Sequence, residues 1–173
     1  MPARGPDPSR LEAFTLSDNN LDLTGRVAVV TGAAAGLGRA EAIGLARSGA
    51  SVVVNDMAPA LEASDVLDEI RAAGSTAVAV IGDVSQRATA DEMVATAERL
   101  GGLHIVVNNA GITRDRMLFN MSDEDWDAVI AVHLRGHFLL TRNAATYWRS
   151  QAKEGGGTVY GRIINTSSEA GLS

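Results

Sequence analysis

The stretch that decides the fold is "RVAVVTGAAAGLGRAEAIGLARSGA", residues 26–50. It opens with a run of apolar, mostly β-branched residues, which is typical of a parallel strand buried on both faces. The run ends in a glycine-rich turn, and apolar residues then recur at helical spacing. A buried strand, a tight turn and a helix in this order predict the first unit of a parallel α/β sheet.

Strands and helices alternate along the rest of the chain. The sequence predicts further strands at residues 51–56, 76–83, 104–111 and 160–167, and helices at 60–74, 90–100 and 123–149. Short parallel strands joined by right-handed helical crossovers predict an α/β fold with a doubly wound parallel sheet, the Rossmann fold. Its ligand crevice is expected at the carboxyl ends of the strands. Ser122 and Asp125 predict a capping box at the start of the long helix.

The length of 173 residues suits one domain. Residues 1–22 contain three prolines and no hydrophobic period, so they are predicted to form an N-terminal extension. Residues 23–173 are then left as a single domain, with no linker to a second one.

Composition excludes several classes of function. The net charge is −6 and no basic stripe is visible, which argues against nucleic acid as a partner. The chain has no cysteine, which rules out disulfides and cysteine nucleophiles and favours the cytoplasm. No apolar run reaches the roughly 18 residues of a membrane span, so no membrane association is predicted.

The glycine-rich turn and the next strand together indicate a nucleotide site. Gly32, Gly36 and Gly38 allow a diphosphate to approach the backbone at the amino terminus of a helix, where free amides and the helix dipole favour an anion. Such glycines also occur in turns that bind nothing. Asp56, however, ends the second strand 18 residues after Gly38. An offset of about 20 residues is where an acidic side chain accepts hydrogen bonds from an adenosine ribose, although Asp56 also suits a helix cap.

Four short motifs occur in a characteristic order: "TGAAAGLG" at 31–38, "GDV" at 82–84, "NNAG" at 108–111 and "NTSS" at 165–168. In this order they resemble the short-chain dehydrogenase/reductase family. Within it, "GITRD" and "DEDWDAVIAVHLRGHF" most resemble 3-oxoacyl reductases and the hydroxyacyl-CoA dehydrogenase portion of multifunctional β-oxidation enzymes. The resemblance implies an oxidoreductase that interconverts a secondary alcohol and a ketone by hydride transfer, with 3-hydroxyacyl or 3-oxoacyl thioesters as the leading substrates.

The resemblance also assigns the cofactor contacts by position. It places the diphosphate on the glycine turn with Leu37, the ribose on Asp56, the adenine by Asp83 and Val84, and the nicotinamide half by Asn109, Ala110 and Gly111. Members that use NADP usually carry a basic residue inside the turn or after the second strand. Here Ala35 and Asp56 stand in those places. A carboxylate about 4 Å from a 2′-phosphate costs about 1 to 4 kcal/mol, so NAD is the predicted cofactor.

Two catalytic assignments follow from the same resemblance. Ser168 matches the serine that donates a hydrogen bond to the substrate oxygen as negative charge develops there. His133 stands where the family usually has an asparagine that supports the proton relay. The family's Tyr-x-x-x-Lys pair is absent, because Lys153 is the only lysine and Arg149 precedes it by four residues. The expectation is that the last third of the family's domain is missing and that the 173 residues alone are inactive.

Other interpretations stay open. His133 and His137 have the spacing of a metal pair, but no third ligand is suggested, so no metal site is predicted. The main alternative function is a non-catalytic nucleotide-binding or interaction module completed by another chain. An S-adenosylmethionine-dependent methyltransferase shares the early pattern but gives no reason for "NNAG" or "NTSS". The long helix resembles the one that pairs subunits in the family, which implies a homo-oligomer as the intact enzyme.

Overall fold

The computed structural model describes residues 21–168. The predicted extension therefore lies outside the described residues, apart from Leu21 and Asp22. The strands are β1 Val27–Thr31, β2 Ser51–Asp56, β3 Ala77–Ile81, β4 Ile105–Asn108 and β5 Arg162–Asn165. The helices are α1 Gly36–Arg47, α2 Ala58–Glu62, α3 Val66–Ala72, α4 Arg87–Arg99, α5 Asp123–Ile130 and α6 His137–Gly155.

The five strands form one parallel sheet in the order β3-β2-β1-β4-β5. Val29 of β1 pairs with Val53 on one side and with Val106 on the other. The direction of winding reverses between β1 and β4. A reversal of this kind opens a crevice at the carboxyl ends of the two strands, where doubly wound folds bind their ligands. The predicted sheet is confirmed.

Helices cover both faces of the central strands. Ala28 and Val30 pack in a cluster with α1 and α3, whereas Val27 and Val29 pack with α4 and α6. All residues of β1 are buried, which is why its sequence reads as a continuous apolar run rather than as an alternation. β5 is the edge strand at the opposite end of the sheet from β3, and within the described chain all of its residues are exposed.

The helix predicted at residues 60–74 is two helices, α2 and α3. The helix is interrupted at Ser64. The hydroxyl of Ser64 donates a 2.6 Å hydrogen bond to the carbonyl oxygen of Ala34 and accepts one from the amide of Val66 at 3.3 Å. Serine side chains that bond to backbone groups compete with helical hydrogen bonding. The single-helix prediction was wrong because this tertiary contact to the glycine turn is invisible in local sequence.

The long helix also differs from its prediction at 123–149. A π-helical segment, Ala131–Gly136, joins α5 to α6, and α6 continues to Gly155. It ends where Gly156 adopts a left-handed conformation with φ of +64°. Segments of π-helix insert an extra residue into a turn and often occur at functional sites.

One of the two hydrogen bonds of the predicted capping box is present at the start of α5, namely the bond to the Ser122 hydroxyl. Ser122 Oγ accepts a hydrogen bond from the amide of Asp125 at 3.1 Å. The carboxylate of Asp125 faces two arginines instead, at 3.5 Å from Arg114 Nε and 3.7 Å from Arg116 Nε. Within residues 21–168, no helix is long and apolar enough to cross a membrane.

Candidate active site

The carboxyl ends of β1, β2, β3 and β4 surround a cavity of about 250 Å³. Seven residues that the sequence predicted for the cofactor line it: Gly32, Asp56, Asp83, Val84, Asn109, Ala110 and Gly111. The remaining lining comes from Asn55, Met57, Gly82, Ile112 and Val132. The fold therefore brings the ends of β1, β2, β3 and β4 to one site.

The glycine turn between β1 and α1 combines tight packing with open space. A Cβ atom at Gly38 would collide with the carbonyl oxygen of Gly32 and with Nδ2 of Asn109. Gly36 has φ of +57°, and a Cβ there would meet no atom within 4 Å. Position 38 needs glycine because the helix packs closely on the turn there. Position 36 needs glycine for its backbone conformation and leaves room for a ligand.

The amino terminus of α1 fits an anion. Ala35 caps it without a side-chain hydrogen bond, and no acidic residue lies in the first turn. Ala35, Gly36 and Leu37 are exposed, with 68% of Leu37 accessible to solvent. Uncapped amides and the positive end of the helix dipole favour a phosphate at this point.

Asp56 braces the glycine turn from the end of β2. Its Oδ2 accepts a hydrogen bond from the amide of Ala34 at 3.0 Å, and its Oδ1 accepts one from the amide of Met57 at 2.8 Å. The second bond pairs the amide of Met57, which is itself the N-cap residue of α2, so Asp56 is not the residue that caps this helix. Each carboxylate oxygen keeps further lone pairs, which leaves Asp56 able to accept hydrogen bonds from a ligand.

The loop after β3 forms the far wall of the cavity. Asp83 Oδ1 accepts a hydrogen bond from the amide of Ser85 at 2.8 Å. Val84 is buried and packs against Gly136, where a Cβ would lie 2.8 Å from Val84 Cγ2. Val84 and Met57 give this end of the cavity an apolar character suited to a flat ring.

The "NNAG" segment is bonded directly to the end of β1. Thr31 Oγ1 accepts hydrogen bonds from the amides of Asn109 and Ala110, both at 3.0 Å. Asn109 Nδ2 donates in return to the carbonyl oxygens of Thr31 at 3.1 Å and Gly32 at 3.2 Å. Sequence reasoning missed Thr31, although a hydroxyl at the end of an apolar run was a visible signal.

The "NTSS" segment lies beside "NNAG". Asn108 Nδ2 donates to Asn165 Oδ1 at 2.9 Å, and the amide of Thr166 donates to the carbonyl oxygen of Asn108 at 3.0 Å. Ser168 follows Thr166 by two residues and is exposed. The predicted serine thus lies at the same edge of the sheet as the cavity.

His133 contacts the other end of the "NNAG" loop. Its Nε2 lies 2.7 Å from the carbonyl oxygen of Ile112 and 3.0 Å from the amide nitrogen of that residue. The ring also packs on Gly111, where a Cβ would lie 2.6 Å from His133 Cε1. His133 does not line the cavity; it holds the loop that does.

His137 lies one turn further along the helix. Burial is the main reason why the pKa of His137 is lowered, with a smaller contribution from the charge of His133, opposed by a hydrogen bond with the backbone of Ala110. Among the described residues, no group of three or more His, Cys, Asp or Glu side chains is placed to hold a metal ion.

Comparison with known proteins places the chain in a family. It matches the family model described as short chain dehydrogenase over residues 26–173. It is 77% identical over 159 residues to the hydroxyacyl-CoA dehydrogenase ChsB1 of Mycobacterium tuberculosis, which covers 89% of this chain and 50% of that protein. It is 46% identical over 164 residues to the peroxisomal multifunctional enzyme type 2 of Drosophila melanogaster, covering 90% of this chain and 26% of that protein. The chain therefore spans half or less of the length of these two relatives.

Solved structures agree. A short chain dehydrogenase from Mycobacterium avium superimposes with a TM-score of 0.79 at 52% identity, over 86% of this chain and 54% of that one. A short-chain type dehydrogenase/reductase from Mycobacterium marinum gives the same TM-score at 32% identity, over 88% of this chain and 60% of that one. Since the family model, the fold and the order of the motifs all agree, the chain belongs to the short-chain dehydrogenase family.

Proposed function

We propose that the protein is an NAD-dependent oxidoreductase that interconverts a secondary alcohol and a ketone on 3-hydroxyacyl or 3-oxoacyl thioesters. The observation that carries the proposal is the position of the Asp56 carboxylate. It lies at the carboxyl end of β2 and bonds to the glycine turn, which leads into a helix without a side-chain cap. The hydroxyacyl-CoA dehydrogenase name of one relative supports the choice of thioester.

The residues around the cavity fit a nicotinamide dinucleotide. The amides at the start of α1 suit the diphosphate, Asp56 suits the ribose, and the wall made by Asp83 and Val84 suits the adenine. The loop from Asn109 to Gly111 would then hold the nicotinamide half. When bound, the cofactor would supply or accept the hydride.

The charges near the ribose site favour NAD over NADP. Arg39, which directly follows the glycine turn, has Nη2 at 2.7 Å from Asp65 Oδ1 and at 3.0 Å from Glu69 Oε1. These carboxylates raise the pKa of Arg39, and the hydrogen bond that Arg39 donates to Asp65 contributes most. The guanidinium is thus already paired with two acids, while Asp56 would face a 2′-phosphate with like charge.

Ser168 would take part directly in the proposed chemistry, and His133 would support it by positioning a loop. The hydroxyl of Ser168 would donate a hydrogen bond to the substrate oxygen as negative charge develops during hydride transfer. His133 would act indirectly, by holding Ile112 and thereby the loop beside the nicotinamide. No Tyr-x-x-x-Lys occurs in the 173 residues. We therefore expect the proton donor and acceptor to come from outside them, and the 173 residues alone to be inactive.

A homo-oligomer is proposed for the intact enzyme. Trp126, Ile130, Leu134 and Phe138 recur every four residues along the long helix. Each is between 36% and 65% exposed, so together they form an apolar stripe on the surface. Stripes of this kind usually mark protein interfaces, and a second copy is the proposed partner.

The proposed compartment is the cytoplasm, because the chain lacks cysteine.

The cofactor part of the proposal is tested by titrating the protein with NAD and with NADP. NAD should bind at least about fivefold more tightly, which is the low end of the like-charge penalty. Asp56→Asn keeps an oxygen that can accept from Ala34 and removes the charge, so it should narrow the preference. Asp56→Ala should also weaken the binding of both cofactors, because the glycine turn loses the hydrogen bond between the Ala34 amide and Asp56. Equal affinity for NAD and NADP in the unmodified protein would contradict the assignment.

The catalytic part is tested by following NADH absorbance with a 3-oxoacyl thioester. Residues 1–173 should give no rate above background, whereas the full-length gene product should turn over. Ser168→Ala in the full-length protein should lower the rate by about 10²- to 10³-fold, as expected for a lost hydrogen bond to a developing oxyanion. NAD binding without any turnover in the full-length protein would favour the non-catalytic module instead.

A further inference from the structure

Asn55 is a fully buried polar residue in the apolar strand β2, whose sequence is SVVVND. Its Nδ2 donates hydrogen bonds to the carbonyl oxygens of Val80 at 2.9 Å and Gly82 at 3.0 Å. Its main-chain carbonyl oxygen accepts a hydrogen bond from the amide of Ala33 at 3.1 Å. Asn55 therefore joins the glycine turn on one side of the cavity to the loop after β3 on the other.

The two side-chain hydrogen bonds require an amide. Nδ2 carries two N–H groups and uses both, whereas a carboxylate has no donor and a hydroxyl has only one. The valine that is usual in a buried strand would make neither bond. An asparagine at this place is thus explained by the two carbonyl oxygens that it holds.

The stability of the sheet does not by itself account for Asn55. Within residues 21–168, its Oδ1 atom is buried and has no hydrogen-bond partner. An unpaired buried acceptor is unfavourable for folding, and buried polar groups are otherwise almost always paired. Asn55 therefore combines one unpaired buried oxygen with two hydrogen bonds from Nδ2. This combination indicates that the residue is needed to hold the loop after β3.

Gly82 is the part of the loop that Asn55 holds. Its amide donates to the carbonyl oxygen of Asp56 at 3.1 Å, while its own carbonyl oxygen accepts from Asn55. Gly82 has φ of +154°, and a Cβ there would lie 2.6 Å from Thr89 Oγ1. The peptide groups on both sides of Gly82 are thus fixed by β2, and this sets the path of the chain into Asp83 and Val84.

We infer that Asn55 is a positioning residue for the adenine end of the cofactor site, acting through Gly82 on the wall formed by Asp83 and Val84. The inference rests on the proposed binding of NAD. Asn55 is among the residues around the cavity, but none of its surface is accessible to solvent, so we assign it to holding the loop and not to contacting the nucleotide.

The test uses AMP as the probe, since AMP contains the adenine and its ribose and lacks the nicotinamide. Asn55→Ala and Asn55→Ser are made in the full-length protein, the serine variant keeping one donor. Asn108→Ala is the matched control, because Asn108 is equally buried at the end of β4 and also donates Nδ2 to two acceptors, Asn165 and Thr141. AMP affinity is measured by calorimetry, and the exchange of the Asp83 and Val84 amides by NMR.

Asn55→Ala should weaken AMP binding by about tenfold, with a smaller loss in Asn55→Ser, and should speed exchange at Asp83 and Val84. Asn108→Ala should lower the melting temperature but change neither AMP affinity nor exchange at these two amides. Unchanged AMP affinity and exchange in whichever Asn55 variant folds would overturn the inference, as would an equal loss in Asn108→Ala. If the unmodified protein binds neither AMP nor NAD, the proposed cofactor is wrong, and the exchange rates alone then decide whether Asn55 positions the loop.

Discussion

His133 Nε2 lies 2.7 Å from the carbonyl oxygen of Ile112 and 3.0 Å from the amide nitrogen of the same residue. In one tautomer Nε2–H donates to the carbonyl oxygen, and in the other Nε2 accepts from the amide. The imidazole therefore keeps a backbone partner in either form. Ile112 directly follows the "NNAG" loop, so the π-helical segment Ala131–Gly136 and this loop are held together at His133.

Replacing His133 should loosen that loop. His133→Ala removes both contacts with Ile112, and we expect the Ile112 amide to exchange about tenfold faster with solvent. His133→Asn is the control, because an amide side chain also offers a donor and an acceptor, and it should keep most of the protection. Hydrogen exchange monitored by NMR gives the comparison. Equal exchange in His133→Ala and in the unmodified protein would show that the contact does not hold the loop.

Gly38 and Gly44 in the same helix should respond in opposite ways to alanine. A methyl at Gly38 would collide with Gly32 and Asn109, so Gly38→Ala should destabilise the protein by about 1 to 3 kcal/mol and weaken NAD binding. A methyl at Gly44 would meet no atom within 4 Å. Gly44→Ala should stabilise the protein by about 0.5 to 1 kcal/mol, through helix propensity alone. Urea unfolding measures both changes, and similar effects at the two sites would contradict this account.

His104 should make the fold sensitive to acid. The amide of Val27 donates to His104 Nδ1 at 3.1 Å, so this nitrogen must be unprotonated in the folded state. Burial and then the charge of Arg26 lower the pKa of His104 from its ordinary 6.5, against a raising hydrogen bond with the backbone of Gly102. The unfolded chain therefore binds the proton first as the pH falls, and stability should decrease below about pH 6.5.

The melting temperature, measured from about pH 8 to pH 5, checks this effect. His104→Asn should show a shallower loss on acidification than the unmodified protein, because it does not titrate. His137, whose pKa is also lowered, should contribute in the same direction. The double variant with His137→Asn should therefore have the flattest profile. A steeper loss in His104→Asn would contradict the assigned protonation state.

The apolar stripe on the long helix should drive self-association. Leu134 is 65% exposed and lies inside the stripe, and Phe138, which ends the stripe, is 56% exposed. Leu134→Glu places a charge there, and in sedimentation of the full-length protein it should lower the oligomer mass. Leu118→Glu is the control, because Leu118 is 83% exposed but lies outside the stripe. An unchanged mass in Leu134→Glu would remove the stripe from the interface.

Local sequence determined the main architecture of this protein. The runs at β1 and β2 specified buried parallel strands, because β-branched residues without alternation suit a sheet covered on both faces. The glycine turn and Asp56 were recognisable from spacing alone, since a tight turn and a helix amino terminus depend on neighbouring residues. The residues from Asn109 to Gly111 were predicted by resemblance to contact a cofactor; they line the cavity, and the contact itself stays a prediction.

Only the tertiary structure decided how those pieces are held. Ser64 interrupts a helical pattern because its hydroxyl reaches Ala34, which lies 30 residues away in the chain. Asn55 bonds to Gly82 across 27 residues, and Asn109 bonds to the carbonyl oxygen of Thr31 across 78. Such bonds form between groups that meet only when parallel strands align in register, and a local pattern of residues carries no information about that partner. The strands were therefore predictable from sequence, whereas the hydrogen bonds that shape the cavity between their ends were not.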